Sequence, residues 1–228
     1  MSKLLSELAF GAFLAYSPNG PPEVEPHRSS QRLRAAIKTD SIYRGAPAID
    51  LAVGRMAEVR DAQLAQLFGS DVVLVPAPRS APFPEGLSIP LRGSHKDFLW
   101  VPRRICETLV AAGLAGGWRP LLRREHRVIR SASALPGNRP LPFAHYESLS
   151  CVSELVPSER YLVVDDVVTR GSTLLACASR LSQAYPQAEV QGFALLRTVS
   201  NPAEFTGILD PVVGEVSLRS QGDTLRRP

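Results

Sequence analysis

Runs of uninterrupted apolar residues alternate along this chain with stretches of helical spacing. "RYLVVDD" from Arg160, "DVVLVPAP" from Asp71 and "AEVQGFALLR" from Ala188 are short and apolar on both faces, as strands inside a covered sheet must be. Helical spacing recurs between them. Ser172 to Tyr185 is the clearest helix, and residues 102–113 look helical. Ser29 or Ser30 can cap a short helix running to about Thr39, and Pro47 can open another with Leu51, Met56, Val59, Leu64 and Leu67 on its apolar face. The apolar start "LLSELAFGAFLAY" reads as a core-packed helix or strand, because Glu7 interrupts it and no convincing cleavage site follows. "RPLLRRE" is a short strand candidate, Arg79 to Leu99 a long loop, and residues 130–150, with Pro136, Gly137, Pro140 and Pro142, read as irregular. Strands alternating with helices predict an α/β domain built on a mainly parallel, doubly wound sheet, with the Tyr161–Asp165 strand central between the Val72 and Val190 strands. The domain is expected over residues 29–200. Residues 1–28 would pack on the core or contribute to a small irregular hood, and residues 201–228 would form a C-terminal extension.

Composition narrows the classes. The chain has 228 residues, 44% hydrophobic and 21% charged, enough to bury a core. A net charge of +4 is mild for a dedicated nucleic-acid binder, and the lysines are Lys3, Lys38 and Lys96 alone, so the basic surface is arginine. Cys106, Cys151 and Cys177 are widely spaced and the four histidines lack metal-ligand spacing, which fits a reducing, cytoplasmic setting. No run is long enough to predict a membrane-spanning helix.

The stretch "VVDDVVTRGST" carries the candidate chemistry. In an open parallel sheet ligands bind outside the carboxyl ends of the strands, which puts Asp165 and Asp166 at the ligand edge. Gly171 permits a tight turn. The free N–H groups of that turn and of the following helix, with the hydroxyls of Thr169, Ser172 and Thr173, make an anion site. The paired carboxylates can accept from vicinal hydroxyls, as in ribose, or approach a Mg²⁺ ion. A ligand bearing both a phosphate and a sugar diol fits.

This stretch closely resembles the phosphoribosyl-pyrophosphate (PRPP) motif of the type I phosphoribosyltransferases. "VVLVPAPRS" is similar to the strand and pyrophosphate loop of the ComF-like branch, and "RLRAAIKTDSIYRGAPAIDLAVGRMAE" to that branch's short helix, lysine and second helix. The resemblance covers roughly residues 30–197. It implies the type I phosphoribosyltransferase sheet with a small hood, and transfer of a phosphoribosyl group from PRPP to a nitrogen acceptor with Mg²⁺, releasing pyrophosphate. By the same resemblance Asp165 and Asp166 hold the ribose and, directly or through water, Mg²⁺. Val167, Val168, Thr169, Arg170, Gly171, Ser172 and Thr173 hold the 5′-phosphate. Arg170 departs from the small hydroxyl residue usual there, although amidophosphoribosyltransferases also carry arginine before this glycine. Ala77, Pro78, Arg79 and Ser80 fall on the pyrophosphate side, with Arg79 the arginine expected to act there. Arg127, Arg130 and Arg139, in a loop expected to close over the ligand, could add a contact.

Lys38 aligns loosely with a ComF-like lysine, and Phe143 and Tyr146 could stack on an acceptor ring or simply pack. The chain lacks the Cys-rich ribbon and the Gly-Phe-Asn-Gln run common in ComF-like proteins. A PRPP- or nucleotide-binding regulator without turnover, and an accessory factor in DNA uptake or genome defence, stand as alternatives. The expected partners are PRPP and a small nitrogen acceptor. A membrane is not expected, nucleic-acid and protein partners are open but not indicated, and a homo-oligomer is compatible with the sequence.

Overall fold

The computed structural model describes residues 4–82, 99–128 and 140–228. In chain order the elements are β1 (Glu7–Tyr16), α1 (His27–Lys38), β2 (Ile42–Tyr43), β3 (Ala46–Pro47), α2 (Ala48–Val59), α3 (Ala62–Ala65) and β4 (Gly69–Pro76). After them come α4 (Val101–Ala111), β5 (Ala115–Trp118), β6 (Leu122–Arg124), α5 (Pro142–Glu147), β7 (Leu149–Cys151), β8 (Arg160–Val168), α6 (Ser172–Ala184), β9 (Glu189–Thr198), β10 (Leu209–Leu218) and β11 (Thr224–Arg227).

A seven-stranded sheet in the order β11-β10-β1-β9-β8-β4-β5 forms the centre. The five strands from β1 to β5 in that order are parallel, and β10 and β11 add antiparallel to β1 and to each other. β8 lies between β4 and β9, parallel to both, as its unbroken apolar run predicts. Its side chains divide between two cores. Leu162 and Val164 join α1, α2 and α4 on one face; Tyr161 and Val163 join α6 on the other. Each such fully buried aliphatic side chain contributes roughly 1.5–3 kcal/mol by leaving water.

Several elements differ from the sequence pattern, each for a local reason. α1 begins at His27, and Ser30 Oγ donates to His27 O within its first turn instead of capping it. The helix expected after Pro47 is two helices. Arg60 turns left-handed (φ 48°), and Asp61 restarts the helix by accepting from the N–H groups of Gln63 and Leu64. Leu51 therefore stays 40% exposed while Ile49, Val53 and Met56 fill the core. The "RPLLRRE" strand exists, but as β6 it pairs only with β7, outside the main sheet. Within the stretch read as irregular, α5 and β7 form, because Pro142 suits a helix's first turn. Residues 7–16 and 209–227, outside the 29–200 range, supply three of the seven strands. Most of the Arg79–Leu99 loop (83–98) and most of the arginine-rich loop (129–139) lie outside the described residues. Among the described residues, no helix is long and apolar enough to cross a membrane.

Candidate ligand site at the carboxyl edge of the sheet

The chain leaves β4 through α4 to β5 and leaves β8 through α6 to β9, and these crossovers run in opposite directions across the sheet. Because β4 and β8 are neighbours, their carboxyl ends flank a crevice at the point of divergence, where open α/β sheets bind ligands. β4 stops first. Its last pairing is Pro76 with Val164, and Ala77 N–H donates to Val164 O at 2.8 Å. β8 continues beside β9 to Val168. Asp165 and Asp166 were expected to end the strand; they lie within it, because β9 goes on pairing after β4 has turned away.

Successive strand residues point to opposite faces, and the two carboxylates divide accordingly. Asp166 turns to the α1 face, where Lys38 Nζ lies 2.8 Å from its Oδ2. Asp165 accepts from the Asp166 N–H at 2.8 Å and faces the α6 side, within the field of Arg124 and Cys177. Burial, then the Asp166 charge, pushes the Asp165 carboxyl well above the usual carboxylate range, while Lys38 pulls it partly back. One carboxylate is thus paired with an ammonium. The other is ready to ionise when a cation or a hydroxyl donor arrives.

Beyond Val168 the chain makes the turn that opens α6. Gly171 has φ 86°, and a Cβ there would sit 2.5 Å from Val216 Cγ2, so glycine is required on two counts. The loop from Thr169 to Thr173, with Asp165, Val167, Val168 and Leu174, lines a cavity of about 90 Å³ closed by Pro140, Leu141 and Asp223. At the opening of the 13-residue α6, unpaired backbone N–H groups carry partial positive charge toward this space. Arg170 is exposed at its rim, and its charge, behind that of Arg219, helps hold the Asp223 carboxyl below its usual range. Thr169 Oγ1 meets Thr198 Oγ1 at 3.0 Å, and Ser172 Oγ meets Thr224 Oγ1 at 2.9 Å.

The other wall of the crevice follows β4. The Trp100 indole N–H donates to Ala77 O at 2.7 Å, Arg124 Nε donates to Arg79 O at 3.0 Å, and Val128 N–H donates to Ser80 O at 2.9 Å. Arg124 is buried and also donates to His145 O and Ser148 Oγ, so it joins the loop after β4 to α5. His145 is buried against it; burial, with the Arg124 charge, lowers its pKa to about 4. Arg127 is exposed at the start of the arginine-rich loop, and Arg130 and Arg139 lie outside the described residues. Tyr146 is buried, bonded to Gln183, with the Arg180 guanidinium 3.9 Å from its ring centroid, so it is packing. Phe143 is 44% exposed.

Protein-family models and curated proteins were searched, and none matches this chain. The site therefore rests on its own geometry. Among the described residues no group of three or more His, Cys, Asp or Glu side chains could hold a metal. Asp165 and Asp166 do offer hard oxygen donors of the kind Mg²⁺ takes, in a shell completed by ligand oxygens and water. Lys38 was legible only as a loose alignment, and its contact with Asp166 spans 128 positions of sequence (166 minus 38). Arg124 was legible only as one arginine among many in an arginine-rich stretch, and Thr198, Thr224 and Arg226 gave no signal. Each reaches the site through a distant strand, and only the folded sheet brings it there.

Proposed function

We propose that this protein binds PRPP with Mg²⁺ and transfers its phosphoribosyl group to a nitrogen acceptor, releasing pyrophosphate, on a fold of the type I phosphoribosyltransferase kind. The observation that carries this reading is the pairing of adjacent carboxylates with an anion-binding turn at the divergence of the β4 and β8 crossovers. A ribose 5-phosphate needs donors for its phosphate and acceptors for its diol a few ångströms apart, and this turn offers both.

In the reaction the acceptor nitrogen's lone pair forms a bond to C1 of the ribose. The C1–O bond breaks with its electron pair leaving on pyrophosphate, and the acceptor's proton passes to solvent. Charge develops on the sugar ring and the leaving group, so the protein's part is positioning and electrostatics. The Thr169–Thr173 turn fixes the phosphate. Asp165 and Asp166 accept from the ribose hydroxyls and offset positive charge on the ring. The Ala77–Ser80 loop, with Arg79, faces the pyrophosphate. Asp165 and Asp166 would hold Mg²⁺, directly or through water, and the ion would supply charge neutralisation for the leaving group.

The test is incubation with PRPP, Mg²⁺ and a panel of nitrogenous bases, following pyrophosphate. Acceptor-dependent release is expected. Tight PRPP binding with no release for any acceptor would make the chain a PRPP-binding regulator, a reading favoured by the ion pair that already occupies Asp166. Absence of PRPP binding would overturn both.

A further inference from the structure

Two hydroxyls of the anion-binding turn are paired with threonines from outside it, and burial decides which way each hydrogen bond runs. Thr224, on β11, is 2% exposed, and its hydroxyl faces Ser172 Oγ at 2.9 Å. Thr198, at the end of β9, is 4% exposed, and its hydroxyl faces Thr169 Oγ1 at 3.0 Å. A hydroxyl has one proton to donate, and a buried donor left without an acceptor is costly. No other acceptor is recorded for either threonine hydroxyl among the described residues. If Thr224 accepted from Ser172, its own proton would be stranded inside the protein, so Thr224 donates and Ser172 accepts. The same reasoning makes Thr198 the donor to Thr169. Both turn hydroxyls, already accepting, keep their protons for the cavity they line.

Arg226, two residues beyond Thr224, completes the brace. Its Nε donates to Thr169 O at 2.8 Å and its second terminal nitrogen to Thr198 O at 2.6 Å, fixing the turn to the end of β9.

We infer that Thr198 and Thr224, with Arg226, are positioning residues for the phosphate of the ligand. The C-terminal hairpin β10–β11 is then part of the binding site, although it lies outside the segment whose sequence resembles a phosphoribosyltransferase. This inference rests on the phosphoribosyl reading of the site. A relay of this kind favours a phosphate monoester rich in unprotonated oxygens, because it presents two hydroxyl protons in addition to the backbone donors.

Ribose 5-phosphate is the probe, measured by calorimetry on the full chain alongside the unliganded melting temperature. Thr224→Val and Thr198→Val keep the side-chain shape and remove the hydroxyl, and each should weaken binding roughly three- to tenfold. Thr224→Ser and Thr198→Ser keep the hydroxyl and lose a methyl, and should bind like the parent. A packing role predicts the opposite order, with Val tolerated and Ser impaired, and that result would overturn the inference while leaving the phosphoribosyl reading intact. Valine variants that bind as tightly as the parent would overturn it equally. If the parent protein binds neither ribose 5-phosphate nor PRPP, the phosphoribosyl reading fails first and the assignment of these threonines to a phosphate fails with it.

Discussion

The two walls of the crevice are built on opposite plans. The β8 wall is a contiguous piece of chain: strand, two carboxylates, a glycine turn and a helix N-terminus within Arg160–Ala184. The β4 wall has little structure of its own. Ala77 to Ser80 are held by an indole 23 residues away and a guanidinium 45 residues away. A ligand site that must present backbone N–H groups to an anion needs the first plan, since those groups come in sequence order from a single turn. The second plan leaves the loop's shape to whatever packs behind it. Perturbing the β8 wall should therefore abolish ligand binding through local geometry, whereas perturbing the β4 wall should act mainly through stability.

The largest effect should come from Gly171. Valine there must adopt a positive φ, which costs a residue with a side chain about 1–2 kcal/mol, and must also displace Val216. Gly171→Val is expected to lose PRPP binding altogether and to lower the melting temperature by several degrees. Adding Val216→Ala should recover part of the stability, because it relieves the crowding but not the φ. A Gly171→Val protein that binds PRPP normally would refute the role given to the turn.

Next come the carboxylates, which the structure makes unequal. Losing a charge-assisted hydrogen bond costs roughly 1.5–3 kcal/mol, so Asp165→Asn and Asp166→Asn should each weaken Mg²⁺–PRPP binding about ten- to more than a hundredfold. Their effects on the free protein should diverge. A carboxyl held above its usual range stabilises the fold only below the unfolded carboxylate pKa and loses that contribution as pH rises through the raised value. At neutral pH Asp165→Asn therefore removes a penalty, and the melting temperature should hold or rise. Asp166→Asn leaves Lys38 without its partner, and since Lys38 is about a third exposed the loss should stay within about 0–1 kcal/mol. Unchanged ligand affinity in both folded variants would remove the chemical basis for the phosphoribosyl reading.

How much of this was legible in the chain follows from the same contrast. β8 and its turn could be read because an apolar run, two acids and a glycine are local, and local order was enough to place the strand centrally and the turn at the carboxyl edge of the sheet. The strand's true end at Val168 could not be read, because it depends on β9 pairing four residues farther than β4 does. Nothing local set Arg124 apart from the arginines around it, since only the β6–β7 pairing buries it beneath Arg79 O. The terminal segments looked peripheral because their partners are far along the chain: β1 pairs parallel with β9 on one side and antiparallel with β10 on the other. The same distance hid Thr224 and Arg226.

A smaller effect, in the acid range, should mark the β4 wall. His145 is buried and neutral there, with its pKa lowered to about 4 from an ordinary 6.5. A base of this kind contributes its full stability above its unfolded pKa and loses it as pH falls toward the folded value, because the unfolded chain binds a proton the folded one does not. Stability should fall with a slope approaching one proton, about 1.4 kcal/mol per pH unit, between pH 6 and 4. His145→Phe should flatten that slope, as chemical denaturation across the range would record. The sense is opposite to that of Asp165, so the two walls titrate against each other. If the slope persists unchanged in His145→Phe, some other group carries it.

The smallest effect expected is at Lys38, where the walls' electrostatics can be separated from their architecture. Its ammonium pairs with Asp166 and lowers the Asp165 pKa, but it belongs to neither wall. Lys38→Met keeps most of the aliphatic stem, so α1 should pack as before and stability should change by no more than about 1 kcal/mol. What should move is the pH dependence of binding. Protonation of Asp165 competes with the ribose hydroxyls and Mg²⁺, so PRPP affinity should rise with pH through the raised Asp165 pKa. Without Lys38 that pKa climbs further, and the midpoint of the affinity profile should shift to higher pH. Asp165→Asn should abolish the profile in either background. A midpoint that stays put in Lys38→Met would mean that the lysine pairs with Asp166 only, and that burial and the Asp166 charge alone set the state of Asp165.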